Sequence, residues 1–195
     1  MSKYSKMPRV PQDAYQTPEW PVQVVVPHLI GVKKFAEPCF GEGKLVRWLE
    51  TAGLTCTHFG DIKTGQDALT DPTLATVRFD AIITNPPYTE KLLYALLRRF
   101  MSIAPTWLLL EADFLHKVGA AELIAHCSLI VSVGRIKWFE GTRDESKSNY
   151  AWYRFDAQHT TGPRFIPRIA KPRPPRAPRK KIPAPAPETP EDIAA

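Results

Sequence analysis

The run Phe79–Thr84 (FDAIIT) leads without a gap into Asn85-Pro86-Pro87-Tyr88. Two consecutive prolines remove two backbone donors and fix φ twice, so neither a helix nor a central strand can continue through them. The apolar run reads as a buried strand that must stop at Thr84. After the turn, Glu90–Met101 places Leu92, Leu93, Leu96, Leu97 and Phe100 on one side of an amphipathic helix.

The same alternation recurs along the chain. Strands are predicted at Val32–Ala36, Thr55–Ile62, Trp107–Leu110, Leu129–Val133 and Tyr150–Phe155. Helices are predicted at Lys44–Ala52, stopped by Gly53, and at Val118–His126. Strands alternating with helices imply an α/β fold, a mostly parallel sheet covered on both faces. In such a sheet ligands bind beyond the carboxyl ends of the strands. A rigid turn there exposes the Asn85 amide, the Pro86 carbonyl and the Tyr88 ring. Two carbonyl oxygens accept both protons of a planar amine and turn its lone pair out of conjugation, while an aromatic ring offers a stacking surface. The same residues also fit a plain strand-to-helix turn.

A second constellation is Glu37-Pro38-Cys39-Phe40-Gly41-Glu42-Gly43. A strand ends in an acid, and a Gly-x-Gly turn enters a helix. The third glycine of a dinucleotide fingerprint is missing, because Leu45-Val46 occupy that stretch, and there is no P-loop. Glycines let backbone approach a ligand closely, and Glu37 suits a cationic amino group better than a phosphate. A simple βα turn fits the spacing too. Further on, Asp61 follows the second strand, where a carboxylate commonly meets ribose hydroxyls. Ile62 suits an adenine face, and Asp67 suits an adenine amine. Either acid also reads as a solvated loop carboxylate.

Taken in order, acidic-Pro-x-x-Gly-x-Gly, Asp-Ile, Asp-x-Leu and Asn-Pro-Pro-Tyr closely resemble the S-adenosylmethionine-dependent methyltransferases of DNA adenine. Tyr15-Gln16-Thr17-Pro18 resembles that family's amino-terminal Thr-Pro motif. Gly134–Phe139 with Asn149–Tyr153 resembles the late hairpin of its small phage-type members. The resemblance implies a class I, Rossmann-like methyltransferase fold with a seven-stranded sheet over residues 13–156. It implies S-adenosylmethionine as cofactor, held by Tyr15, Thr17, Pro18, Glu37, Pro38, Gly41, Gly43, Asp61, Ile62, Asp67 and Asn85. Asn85, Pro86, Pro87 and Tyr88 form the implied catalytic turn, acting on the N6 amine of an adenine flipped out of DNA. RNA or a protein glutamine amide is an alternative substrate, and an inactive nucleic-acid-binding scaffold an alternative role. The chain has no room for the separate recognition domain of large members, so specificity would be loop-borne or come from a homodimer or partner.

Charge and proline divide the 195 residues. Residues 1–156 hold 18 basic and 17 acidic side chains, against 8 and 3 in 157–195. The isoelectric point near 9.3 therefore belongs mostly to the last part. That part also holds ten of the 20 prolines. It is read as a disordered, polyproline-like tail, and residues 1–12 as a loose start. Arg173, Arg176, Arg179, Lys180 and Lys181 in the tail, with Arg135, Lys137, Arg143 and Lys147 near the hairpin, are the expected phosphate contacts with DNA, duplex or single-stranded. No apolar run approaches a membrane span, no secretory signal is visible, and no metal-ligand spacing occurs among the His and Cys. A cytoplasmic protein of a bacterial or phage-infected cell is expected.

Overall fold

The computed structural model describes residues 15–139, 141 and 145–170. The loose start 1–12 and the cations Arg143, Arg173, Arg176, Arg179, Lys180 and Lys181 lie outside the described residues. Seven strands form one sheet: β1 (Lys34–Glu37), β2 (Thr55–Phe59), β3 (Ala81–Thr84), β4 (Thr106–Glu111), β5 (Cys127–Gly134), β6 (Tyr150–Phe155) and β7 (Arg164–Ile166). Their order is β2-β1-β3-β4-β6-β5-β7. The pairs β1–β2, β1–β3, β3–β4 and β5–β7 are parallel. Only β6 runs the other way, inserted between β4 and β5.

Four helices cover the sheet: α1 (Glu19–Val25), α2 (Lys44–Thr51), α3 (Glu90–Ile103) and α4 (Ala121–Ala125). Strand periodicity sorts the core onto two sides. In β4, Trp107 and Leu109 join Val22, Val25, Leu45 and Leu49 under α1 and α2. Leu108 and Leu110 point the other way, to Leu93, Leu97 and Phe100 of α3 and Leu123 of α4. A central strand buried on both faces has to be apolar at every position, which is why Trp107–Leu110 reads as a continuous run rather than an alternation.

The helix ends follow from local chemistry. Residue Ala104 precedes Pro105 and adopts extended dihedrals (φ −158°, ψ 165°), which ends α3. Gly53, at φ +93°, closes α2 and donates to the Glu50 carbonyl at 2.9 Å. The strand expected to reach Ile62 stops at Phe59, because the Asp61 side chain caps a 3₁₀ turn over Ile62–Thr64. The helix expected over Val118–His126 divides into a 3₁₀ turn at Val118–Ala120 and the short α4.

Two elements lie outside the sequence expectation. Helix α1, EWPVQVV, has poor intrinsic propensity because it carries a proline and three valines. The proline is tolerated because the amide it lacks is in the first turn and has no intrahelical partner. Tertiary contacts then decide: Val22, Val24 and Val25 are buried, and the indole of Trp152 donates to the Pro21 carbonyl at 2.8 Å. The second is β7, which corrects the expected start of the tail at residue 157. Leu129, Ile130 and Val131 of β5 pair with Arg164, Phe165 and Ile166. Prolines at 163 and 167 bracket the strand, and an edge strand needs only one ladder, so Phe165 and Ile166 suffice without any periodicity to announce them.

Trp152 is fully buried and joins β6 to α1 across 131 residues. Trp152→Phe strands a buried carbonyl, a loss of about 1–3 kcal/mol. Thermal unfolding should show the midpoint falling by roughly 5 °C. An unchanged midpoint would remove this bond as an anchor of α1.

Candidate active site

The strand order reverses at β1: β2 lies on one side and β3 on the other. Open α/β sheets bind ligands at such a switch point, and a cavity of about 440 Å³ opens there. That volume lies within the range of small-molecule sites. Its wall is built from the carboxyl ends of β1 and β3, the Gly-containing turn, the loop after β2 and the segment before α1.

Glu37 ends β1 and is 1% exposed. Its Oε1 accepts from the hydroxyl of Thr84, the last residue of β3, and from the Cys39 amide at 3.1 Å. Its Oε2 is buried and has no hydrogen-bond partner among the described residues, and Glu37 is among the residues that line the cavity. Burial pushes the Glu37 carboxyl up to about 8, against the bonds from Thr84 and Cys39, and the Asp61 charge adds to the rise. Such a group lacks a cation. Burial likewise raises the pKa of the neighbouring Cys39 thiol, with the Glu37 charge adding to the shift, so it is not a thiolate nucleophile.

The turn is shaped by two glycines. Gly41 (φ +57°) donates its amide to Asp61 Oδ2 at 2.8 Å, while Asp61 Oδ1 accepts from the Lys63 amide at 2.9 Å. One carboxylate thereby fastens the turn to the loop after β2. Gly43 (φ +75°) lies outside the cavity wall; a Cβ there would stand 2.3 Å from the Phe40 ring. Its part is to let Phe40 fold under the turn and meet Phe59 at 4.8 Å. Ile62 lines the cavity and is 61% exposed, an apolar side chain left open to a ligand. Asp67, half-buried on the same wall, accepts from the Leu69 amide at 2.9 Å.

Asn85 follows β3 directly. Its Nδ2 donates to the Tyr15 carbonyl at 2.9 Å, and its Oδ1 accepts from the Tyr88 hydroxyl at 2.6 Å. The amide is thus held from both ends, and Oδ1 keeps a second lone pair. Pro87 lines the cavity, whereas Pro86 is buried beneath it. The expectation for Tyr88 is a stacking platform. The structure places its ring 6.2 Å from Tyr150, with its hydroxyl also 3.2 Å from the Leu109 carbonyl. Tyr150 meets Trp138 at 5.2 Å, and Trp138 meets Tyr15 at 5.4 Å. A row of rings therefore fixes both partners of the Asn85 amide.

Tyr15, Thr17, Glu37, Pro38, Gly41, Asp61, Ile62, Asp67 and Asn85 come together around one cavity. Pro18, at the start of α1, lies outside it. Arg135, Lys137 and Lys147 are exposed beyond the end of β5 and do not reach it. Sequence reasoning missed Gln16 and Thr84. Gln16 accepts from the Glu42 amide at 3.0 Å and packs against Gly41. Thr84 is the only polar residue in the run Ala81–Thr84, and that is the signal that marks it. Among the described residues no three His, Cys, Asp or Glu side chains cluster as metal ligands do. No helix there is long and apolar enough to cross a membrane.

No family model and no curated protein matches the chain. Among solved structures, a Pyrococcus horikoshii protein provisionally assigned as an RNA methyltransferase is similar. The TM-score is 0.50 at 16% identity, over 79% of this chain and 91% of that one. The likeness is one of fold: the chain has the seven-stranded, mostly parallel sheet of class I methyltransferases, with helices on both faces.

The raised Glu37 carboxyl has a signature in stability. Between its ordinary value of 4.5 and about 8, the folded state keeps a proton that the unfolded state has released, so this group makes stability fall as pH rises. Glu37→Gln removes that loss. The drop in melting temperature between pH 5 and pH 9 should shrink by roughly 5 °C or more. An identical pH profile would show that Glu37 ionises freely in the folded protein.

Proposed function

We propose that this protein transfers a methyl group from S-adenosylmethionine to the exocyclic N6 amine of adenine in DNA. The observation that carries the reading is the Asn85 amide, held between Tyr15 and Tyr88 in the lining of a cavity that also holds Glu37, Asp61 and Asp67. The cavity residues fit the cofactor. The uncompensated Glu37 Oε2 suits the ammonium of its methionine end, and Gly41 lets the backbone come close. Asp61 has lone pairs for ribose hydroxyls, Ile62 offers an apolar face to the adenine, and Asp67 accepts from its amine. When bound, S-adenosylmethionine supplies an electrophilic methyl group on a sulfonium sulfur.

The chain's own part is positioning. Because Nδ2 donates a hydrogen bond to the Tyr15 carbonyl and Oδ1 accepts one from the Tyr88 hydroxyl, the amide is held against flipping and Oδ1 is presented as an acceptor. The Pro86 carbonyl is the second acceptor, so both amine protons are held and the nitrogen lone pair is aimed at the methyl. A nitrogen–carbon bond forms as the sulfur–carbon bond breaks, and one amine proton leaves to solvent. No covalent enzyme intermediate and no strong base are required; orientation and electrostatics carry the rate. A base in a duplex must first leave the stack, at a cost of a few kcal/mol.

The test supplies labelled cofactor with duplex DNA, single-stranded DNA and RNA separately, and identifies the nucleosides after digestion. N6-methyladenine from DNA is expected. Asn85→Ala should lower transfer by at least 100-fold, roughly the loss seen on removing one oriented polar group, and should weaken cofactor binding far less than that. The structural neighbour's assignment makes RNA the chief competitor, and methylated RNA without methylated DNA would replace this reading. Glu37 adds an independent readout. Cofactor binding at pH 7 should release close to one proton from its carboxyl, seen as a buffer-dependent heat in calorimetry. Glu37→Gln should abolish the release.

A further inference from the structure

The loop after β2 carries Asp61, Ile62 and Asp67 of the cavity wall. Its first part is fastened at Asp61, which caps the 3₁₀ turn and accepts from the Gly41 amide. Asp67 belongs to a second turn. Its carbonyl accepts from the amides of Thr70 at 2.9 Å and Asp71 at 2.7 Å. Its Oδ1 accepts from the Leu69 amide, which leaves Oδ2 outside the bonds of the turn. Asp67, Ala68 and Leu69 line the cavity, whereas Asp71, at the far end of the turn, does not.

Asp71 is where that turn meets the body of the protein. Its Oδ2 stands 3.1 Å from Nε2 of His58 in β2, and the two side chains are only 10% and 8% exposed. Its Oδ1 accepts from the hydroxyl and the amide of Thr73 at 2.6 and 2.9 Å. The Thr73 bonds, with His58 beside them, hold the Asp71 carboxyl below its ordinary value, so it stays charged at neutral pH. Its carbonyl accepts from Arg99 Nη2 at 2.5 Å. Arg99 stands three residues after Leu96 and seven after Leu92, the α3 residues that line the cavity. That spacing puts all three on one helix face. The face of α3 that lines the cavity therefore also grips the turn.

We infer that His58 and Arg99 are positioning residues for the base of the cofactor. Through Asp71 they hold the turn 67–71 so that Asp67 accepts from the purine amine. The preference for adenine over a purine without that amine then depends on two residues that never touch the ligand. The inference rests on the proposed cofactor and on Asp67 as the acceptor of its amine. A clamp that served only the core would secure the fully buried Leu74 beside it and leave base discrimination alone.

The experiment measures, by calorimetry, binding of S-adenosylhomocysteine and of its 6-deamino analogue, in which hydrogen replaces the purine amine. The full chain is compared with His58→Gln, Arg99→Gln and Asp67→Ala. A hydrogen bond to a carboxylate is worth roughly 10- to 100-fold, so the full chain should prefer the amine by that factor. His58→Gln and Arg99→Gln should each cut the preference at least threefold, and Asp67→Ala should abolish it. Partial unfolding lowers both affinities by the same factor and leaves their ratio alone. Adding Arg99→Gln to Asp67→Ala should change the ratio no further, as expected of residues acting as one unit. A preference unchanged in His58→Gln and Arg99→Gln but lost in Asp67→Ala overturns the clamp and leaves the cofactor reading standing. Equal binding of the two ligands by the full chain overturns the clamp and Asp67 as reader of the amine, again with the cofactor reading intact. Binding of neither ligand overturns the cofactor reading and the clamp with it.

Discussion

The site depends on the junction between Glu37 and Thr84. These residues end neighbouring parallel strands, and the Thr84 hydroxyl ties the two ends together through Glu37 Oε1. A carboxyl this deep is costly to ionise, which is why its pKa sits so far above the ordinary range. The same junction leaves Oε2 without a partner and sets Asn85 one residue beyond Thr84. One stitch thus places a buried carboxyl and an amide acceptor in the lining of a single cavity. Because the carboxyl keeps its proton up to about pH 8, the fold does not carry the cost of the buried charge at neutral pH.

Around that junction the remaining contacts act as braces. Asp61 holds the Gly41 amide, Gln16 holds the Glu42 amide, and Tyr15 and Tyr88 hold the two ends of Asn85. Most are hydrogen bonds between segments far apart in sequence, so the cavity is a property of the assembled sheet rather than of any one loop. The pieces are also preorganised. The acceptor oxygen of Asn85 is set by bonds already present in the protein alone, which is where electrostatic preorganisation gains its advantage over water.

Much of this was legible in the residues. The double proline marks the end of β3, the leucine spacing marks α3, and the acids at 37, 61 and 67 are read from their places at strand ends and loops. What was not legible has physical reasons. Helix α1 has the composition of a strand or a turn, and only burial of its valines and the Trp152 bond make it a helix. Strand β7 is three residues between prolines, too short for any periodicity. The residue type of Tyr88 says nothing about where its hydroxyl goes; the assembled fold sets it on Asn85 Oδ1, with the ring beside Tyr150. Gly43 reads as a ligand-approach glycine, and in the structure it makes room for Phe40.

The insertion of β6 between β4 and β5 has a consequence for how the molecule comes into being. On the ribosome, β1 to β4 emerge first and can pair in sequence, but β5 has no neighbour in that sheet until β6 has been made. Until β6 is made, the edges of β4 and β5 that it will join stay naked, each a template for mispairing. The indole that anchors α1 arrives on that same late strand. An early helix and a late strand are therefore locked in one step, and the amino-terminal wall of the cavity waits for it. A chain terminated between Asp67 and Trp152 would hold every acid of the cavity and still lack the indole that anchors α1.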